Sequence, residues 1–452
     1  MKIIIAGNGR VGITLAKLLS VEGYDLTLID SNPSVLQSSL EKIDVIAYQG
    51  NCASMETLQS AGVDKADLLI ATTGTDELNL LCCMTAHALN RRIHTIARIR
   101  DPEYVRQAYM MKESFGLSLA FNPEKQAAAE IERLIKYPGF LKRDSFAKGR
   151  AQIVELKIDE SSKLCNVPLN AMNGIVKCKV LVCTVLRDGK AIAPDGSFVL
   201  RAGDKIFVTA PTDSLSLLLK NLGIVTHKIK DVMIAGGGTV CYYLAELLEK
   251  NNINVHIIEN DHERCARLSE LLPRASIING DASDQNSLEG EGIREADALI
   301  SLTGNDELNM IISLYGNSCG VPLTVTKLST FENAKIIDSL PIGSIISPHK
   351  LCCNTIVRYV RALRNQKGAA VTVHSIADGQ AEAVEFNVDK DTLNVGVPLK
   401  KLKLRENILI ACITRGDVTE IPNGDSTFNE GDSVVIVRSG DTVILQLNDI
   451  FE

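Results

Sequence analysis

The chain has 452 residues, 45% of them hydrophobic and 23% charged, with a formal net charge of −7. That length corresponds to roughly three to four domains with ample material for several cores. The acidic balance, with no basic block to offset it, excludes a nucleic-acid surface and leaves protein or small-molecule partners.

Lys2 to Ala6 reads as a strand directly at the N-terminus, without the succession of a signal peptide. No apolar run approaches the ~18–20 residues of a spanning helix, so a membrane would be met only through a partner. The twelve cysteines are scattered, with adjacent pairs at Cys82-Cys83 and Cys352-Cys353 and no CxxC spacing. They suit free buried thiols in a reducing cytoplasm, with redox sensing as the alternative, rather than a metal site.

In chain order, short apolar runs near 2–6, 25–29, 45–48, 67–71 and 94–98 alternate with amphipathic helical patterns, as βαβ units do. The first helix presents Val11, Leu15, Leu18 and Leu19 on one face, and a later helix is predicted from about Pro123 to Lys136. From about Gln152 to Gly223 the pattern changes to short alternating strands, with Asp188-Gly189 as a tight hairpin turn. The whole order then returns about 230 residues on. Val240, Leu244, Leu247 and Leu248 repeat the helix face, a helix begins near Pro348, and Leu393 to Leu399 echoes Leu164 to Leu169. The expected fold class is α/β: two Rossmann-like parallel-sheet domains, each followed by a small α+β lobe. The boundaries are 1–140 and 231–365 for the large domains and 150–225 and 371–452 for the lobes. Polar linkers are expected near 141–150, 225–231 and 365–371.

Gly7-x-Gly9-x-x-Gly12 follows a strand and opens a helix. The first glycine permits a tight turn, the second lets backbone approach a pyrophosphate, and the third allows close helix–strand packing. The helix N-terminus then offers N–H groups to phosphates. Asp30, at the end of the second strand, is placed to accept ribose hydroxyls and to repel a 2′-phosphate, which favours NAD or an adenosine nucleotide over NADP. In the second copy Gly236, Gly238 and Glu259 are kept, but Cys241 stands at the third glycine. That copy is read either as a second ligand site or as a structural pseudo-site. Gly50-Asn51-Cys52 matches Gly280-Asp281-Ala282. The segment from Thr73 to Asn79 returns at Thr303 to Asn309, at the carboxyl edge of the sheet; Thr73 and Thr75 suit helix caps, with Asp76 and Glu77 in the first turn. Arg98 and Arg100 lie where they can reach phosphates, and Lys327 takes the Arg98 place.

Hydride transfer needs a general acid or base beside a nicotinamide. The histidines at 87, 94, 227, 256, 262, 349 and 374 form no such constellation, and there is no GxxxxGK[ST] loop. Binding and switching are therefore expected rather than catalysis.

The doubled motif order together with both small lobes resembles the cytoplasmic regulatory proteins of Trk-type potassium uptake systems, along the whole chain. Members carry two RCK (also called KTN) nucleotide domains, each with a C-terminal RCK lobe. The resemblance implies a homotetrameric ring, peripheral on the inner face of the cell membrane, that binds a membrane potassium transporter and responds to NAD(H), ATP and ADP. It implies ligand roles for Gly7, Gly9, Gly12, Asp30, Asn51, Thr73 and Arg98, and for Gly236, Gly238, Glu259, Asp281 and Thr303. Asn51 and Cys241 depart from the commoner Asp and Gly. The alternatives are a regulator of another potassium channel or antiporter and, less in keeping with the residues, an NAD-dependent oxidoreductase.

Overall fold

The computed structural model describes residues 1–136, 142–223, 228–329, 337, 340–363, 370–440, 444 and 446–452. The first half is a six-stranded parallel sheet of β1 (Lys2–Ala6), β2 (Asp25–Asp30), β3 (Ile46–Gln49), β4 (Leu68–Ala71), β5 (His94–Arg98) and β6 (Leu119–Phe121), in the order β3-β2-β1-β4-β5-β6. Its helices are α1 (Arg10–Val21), α2 (Pro33–Leu40), α3 (Met55–Ser60), α4 (Asp76–Leu89), α5 (Pro102–Met110) and α6 (Pro123–Lys136). Strand order reverses between β1 and β4, which opens a crevice at their carboxyl ends. Ile3, Ile5, Leu28, Leu68 and Ile70 are fully or almost fully buried, as strands covered on both faces must be.

The first lobe is an antiparallel sheet of β7 (Lys142–Phe146), β8 (Ala151–Lys157), β9 (Leu181–Arg187), β10 (Lys190–Ile192) and β11 (Lys205–Pro211), ordered β10-β9-β11-β8-β7, with α7 (Leu169–Val176) and α8 (Leu215–Leu222). The β9–β10 turn holds Asp188 at φ 52° and Gly189 at φ 72°, the left-handed pair that a two-residue hairpin of this twist requires.

The second half repeats the first. Strands β12 (Asp231–Ala235), β13 (Asn254–Glu259), β14 (Ser276–Asn279), β15 (Ala298–Ser301), β16 (Leu323–Lys327) and β17 (Ser344–Ile346) take the order β14-β13-β12-β15-β16-β17. Around them lie α9 (Thr239–Lys250), α10 (His262–Leu271), α11 (Gln285–Gly290), α12 (Asp306–Ser318) and α13 (Pro348–Leu363). The second lobe comprises β18 (Thr372–Ile376), β19 (Ala381–Asn387), β20 (Ile408–Arg415), β21 (Val418–Glu420) and β22 (Ser433–Ser439), ordered β18-β19-β22-β20-β21.

The two halves exchange helices. On α6, Ala127, Ala128, Ile131, Leu134 and Ile135 form a stripe that is buried in the core of the second half, against Val240, Leu244 and Leu248 of α9. On α13, Cys352, Cys353, Ile356, Val357 and Val360 are buried in the core of the first half, with Val11, Leu15 and Leu19 of α1. Each buried Leu or Ile contributes about 1.5–3 kcal/mol, so this exchange holds the halves together far more firmly than a polar contact. Arg361 of α13 adds a two-pronged pair with Glu22, its Nε lying 3.0 and 3.1 Å from the two carboxylate oxygens. The lobes also meet face to face, through Phe146, Cys183, Phe207, Ala383, Cys412 and Val437. At their shared edge His374 Nδ1 of β18 lies 2.8 Å from Asp144 Oδ1 of β7.

Two readings of the sequence need correction. The polar linker expected near 141–150 contains β7 and a 3-10 turn at Ala147–Gly149. The run Lys142-Arg143-Asp144-Ser145 lacks the apolar alternation of a strand, which is why it reads as a connector. The sixth strands, β6 and β17, are three residues each, too short for a period to register. The other expected linkers fall largely outside the described residues, at 224–227 and 364–369.

Candidate functional site at the first sheet switch point

The glycine loop is fixed from below. Gly7 has φ +94°, and a Cβ on it would stand 2.8 Å from the backbone of Thr72 and Thr73. Its N–H donates to Ile29 O at 2.8 Å. A Cβ on Gly12 would stand 2.0 Å from Gly7 O, so α1 can start this close to the loop only with glycine there. Gly9 caps α1 without a side-chain hydrogen bond. The first N–H groups of α1 are therefore left for a ligand or solvent, at the positive end of the helix dipole.

Asp30 is bonded to the loop itself. Its Oδ2 accepts Asn8 N–H at 2.7 Å and its Oδ1 accepts Asn32 N–H at 2.9 Å. It thus sets the tip of the loop while still lining the cleft. Asn8 Nδ2 in turn donates to Ser39 Oγ at 2.7 Å and Val35 O at 3.1 Å.

The Thr73 to Asn79 segment is organised differently from its capping reading. Thr75 caps α4, accepting from Leu78 N–H, but Thr73 does not. The fully buried Asn79 is the hub: its Oδ1 accepts from Thr73 N–H at 2.7 Å and Thr73 Oγ1 at 2.8 Å, and its Nδ2 donates to Arg98 O at 2.9 Å. Asp76 Oδ2 accepts the N–H groups of Arg100 and Asp101, each at 2.8 Å. These two side chains tie the β4 exit to the β5 exit, which accounts for the recurrence of Asp and Asn in both copies. The only signal in the sequence was that two polar residues three apart are retained where one cap would suffice.

Together these elements wall a cleft of about 650 Å³, lined by Gly7, Gly9, Asp30, Asn51, Thr73 and Arg98 and also by Arg10 and His349. Of the seven first-half candidates only Gly12 is absent from the wall, because it sits behind the loop. Arg10 follows from its place at the start of α1. His349 was not legible as a site residue: it comes from α13, across the helix exchange. Arg98 Nη2 donates to Thr73 O and Arg100 Nη2 to Gly74 O. Burial, with Arg100 nearby, pushes the Arg98 guanidinium below its ordinary pKa.

The second half keeps the scaffold. Asn309 Oδ1 accepts from Thr303 N–H at 2.8 Å and from Thr303 Oγ1 at 2.7 Å, and Asn309 Nδ2 donates to Lys327 O at 3.0 Å. Glu259, one methylene longer than Asp30, makes the equivalent pair of bonds, its Oε2 accepting Gly237 N–H at 2.7 Å and its Oε1 accepting Asp261 N–H at 2.8 Å. Where the first half pairs Asn8 with Ser39, the second pairs Gly237 with Leu268, whose Cδ1 lies 2.6 Å from where a Cβ on Gly237 would be. Cys241 is fully buried in the same core as Leu302, which stands where the first half has Thr72. Burial, with Glu259 nearby, raises the Cys241 thiol well above the usual range. A cleft of about 200 Å³ lies here, lined by Glu124, Gly238, Thr239, Lys327 and His349 among others. Gly236, Glu259, Asp281 and Thr303 do not line it.

Among the described residues no group of three or more His, Cys, Asp or Glu is placed to hold a metal ion. Likewise, no helix is long and apolar enough to cross a membrane.

Comparison with known proteins gives the kinship. The TrkA-N domain model matches residues 3–123 and 232–348, and the TrkA-C domain model matches 153–223 and 383–449. The chain is similar to the Trk system potassium uptake protein TrkA of Haemophilus influenzae, at 34% identity over 461 residues, covering 100% of this chain and 99% of that protein. It is also similar to the TrkA homolog of Archaeoglobus fulgidus, at 31% identity, covering 100% of each. Among solved structures its fold is like that of the GsuK channel bound to NAD, with a TM-score of 0.61 and 16% identity, covering 97% of this chain and 76% of that one. The duplicated loops, the paired lobes and these full-length matches agree, and the chain belongs to the TrkA family of Trk system potassium uptake proteins.

Proposed function

We propose that the chain is the cytoplasmic, nucleotide-sensing regulatory subunit of a Trk-type potassium uptake system. It assembles as a homotetrameric ring on the inner face of the membrane and gates a potassium transporter. The first cleft binds NAD(H) or ATP/ADP through Gly7, Gly9, Asp30, Asn51, Thr73 and Arg98, with Gly12 keeping α1 close. The observation that carries this reading is the cleft itself. It lies at the β1–β4 crevice, with a carboxylate at one end, an uncapped helix N-terminus in the middle and Arg10 and Arg98 at hand. Adenosine ribose and phosphate need those groups in that order.

The second cleft, at about 200 Å³ against about 650 Å³, takes at most a smaller ligand, so the expected stoichiometry is one nucleotide per chain. Gating follows from unequal affinity for two ring arrangements. Because α6 and α13 each belong to one half by sequence and to the other by packing, a ligand that shifts α1 also pushes on the opposite half.

Calorimetric titration with NADH, NAD, ATP and ADP, on wild type and Asp30→Ala, tests the reading. One site per chain that weakens at least tenfold in the variant supports it. Unchanged affinity in Asp30→Ala, or no binding to wild type, removes it.

A further inference from the structure

The two clefts share a wall, and that wall is electrostatically unfinished. His349, at the start of α13, lines both. Its Nδ1 is buried with no hydrogen-bond partner among the described residues, and the same holds for Arg98 Nε and Glu124 Oε2 close by. The charged groups facing His349 are Arg10 from α1, Arg98 from β5, Lys327 from β16 and Asp306 from α12. Glu124 of α6 shares the smaller cleft with it, and Cys352 on its own helix donates to His349 O. The three cations outnumber the two acids, Asp306 and Glu124, so the balance of charge around this wall is positive. At the position of α6 equivalent to His349 stands Glu124. The first cleft thus receives a group that can become a cation, while an acid lines the second.

We propose that His349 is a phosphate-contact residue of the first cleft, supplied by the second half, and that nucleotide binding there takes up a proton on its imidazole. The proposal rests on the nucleotide reading above and names a contact and a co-ligand that it does not include. Without nucleotide, burial first, and then Arg10, Arg98 and Lys327, keep the imidazole below its ordinary pKa. A pyrophosphate entering among these cations reverses the local field, so the imidazolium becomes the favoured form. The proton comes from solvent, and the positive imidazole then donates to a phosphate oxygen. By linkage, affinity is greatest at mildly acid pH, falls by up to about tenfold per pH unit between the free and bound pKa values of His349, and levels off above them. A nucleotide signal would therefore be read against cytoplasmic pH.

The test is calorimetry of the full chain with NADH, whose pyrophosphate does not titrate near neutrality, in buffers of different ionisation enthalpy from about pH 5.5 to about pH 8.5. Expected are uptake of a fraction of one proton per NADH, vanishing at high pH, and its loss in His349→Gln and in His349→Asn with affinity fixed near the high-pH value. Binding without proton uptake, or equal uptake in both variants, overturns this inference and leaves the nucleotide reading standing. Absence of binding by NADH, ATP and ADP overturns both.

Discussion

The hydroxyl of Tyr243, on α9 of the second half, donates to the carbonyl of Arg100 in the first half at 2.8 Å. The same hydroxyl accepts from Asn122 Nδ2 at 3.1 Å. Arg100 lies two residues beyond the strand whose last residue, Arg98, lines the first cleft. Burial pushes the phenol up to about 12, so it remains a donor throughout the physiological range. Tyr243→Phe removes both bonds and leaves Arg100 O without this donor. The expected loss is about 1–3 kcal/mol, read as a lower denaturant midpoint with unchanged slope.

The loops of the two halves make opposite demands at equivalent positions. Gly12→Ala drives a methyl to within 2.0 Å of Gly7 O unless α1 moves. It should cost more than about 3 kcal/mol, or yield insoluble protein. Cys241→Gly opens a small void and adds a helix-interior glycine, for a loss of about 1–2 kcal/mol. Thermal melts of the two single variants check the ordering; a milder effect of Gly12→Ala than of Cys241→Gly would contradict the packing described for the loops.

Arg361 and Glu22, 339 residues apart in sequence, are both largely withdrawn from solvent, and Arg361 also lies 3.7 Å from Glu382. Removing one partner strands the other charge. Arg361→Ala is expected to lose about 3–5 kcal/mol, whereas Arg361→Met with Glu22→Leu should lose far less. A double-mutant cycle in urea measures the difference.

In the ligand-free protein His349 also predicts a pH trend in stability. Its folded pKa lies below its unfolded value, so in the window between them the unfolded chain binds more protons. Stability therefore rises with pH through that window, and is lost as pH falls below about 6.5, the ordinary histidine value. His349→Gln should flatten this part of a melting-temperature profile taken without nucleotide. An identical profile in the variant would place the pH dependence elsewhere.

Periodic, locally determined features were readable from the sequence. The strands at 2–6 and 94–98, the helix from Pro123 to Lys136 and the Asp188-Gly189 turn follow from patterns a few residues long. Six of the seven first-half candidates line one cleft for the same reason, since the loop, the β2 end and the β4 exit are each set by local chemistry. What the sequence hid depends on residues far apart in the chain. The amphipathic stripe on α6 declares that it must be buried but not against which half, so the exchange of α6 and α13 and the arrival of His349 in the first cleft were invisible.

The contact between Asp144 and His374 carries a consequence for why such a protein is one chain. The two residues hold matching places on β7 and β18, so they sit where an axis relating two identical halves would pass. In a dimer of identical subunits each would face its own copy: aspartate against aspartate, repelling, or histidine against histidine. A covalent tandem lifts that restriction, because mutation can alter one side of the axis without altering the other. The mismatched partners of Asp144 and His374, 2.8 Å apart, are a mark of that freedom. The same freedom lets the two clefts differ, at about 650 and about 200 Å³.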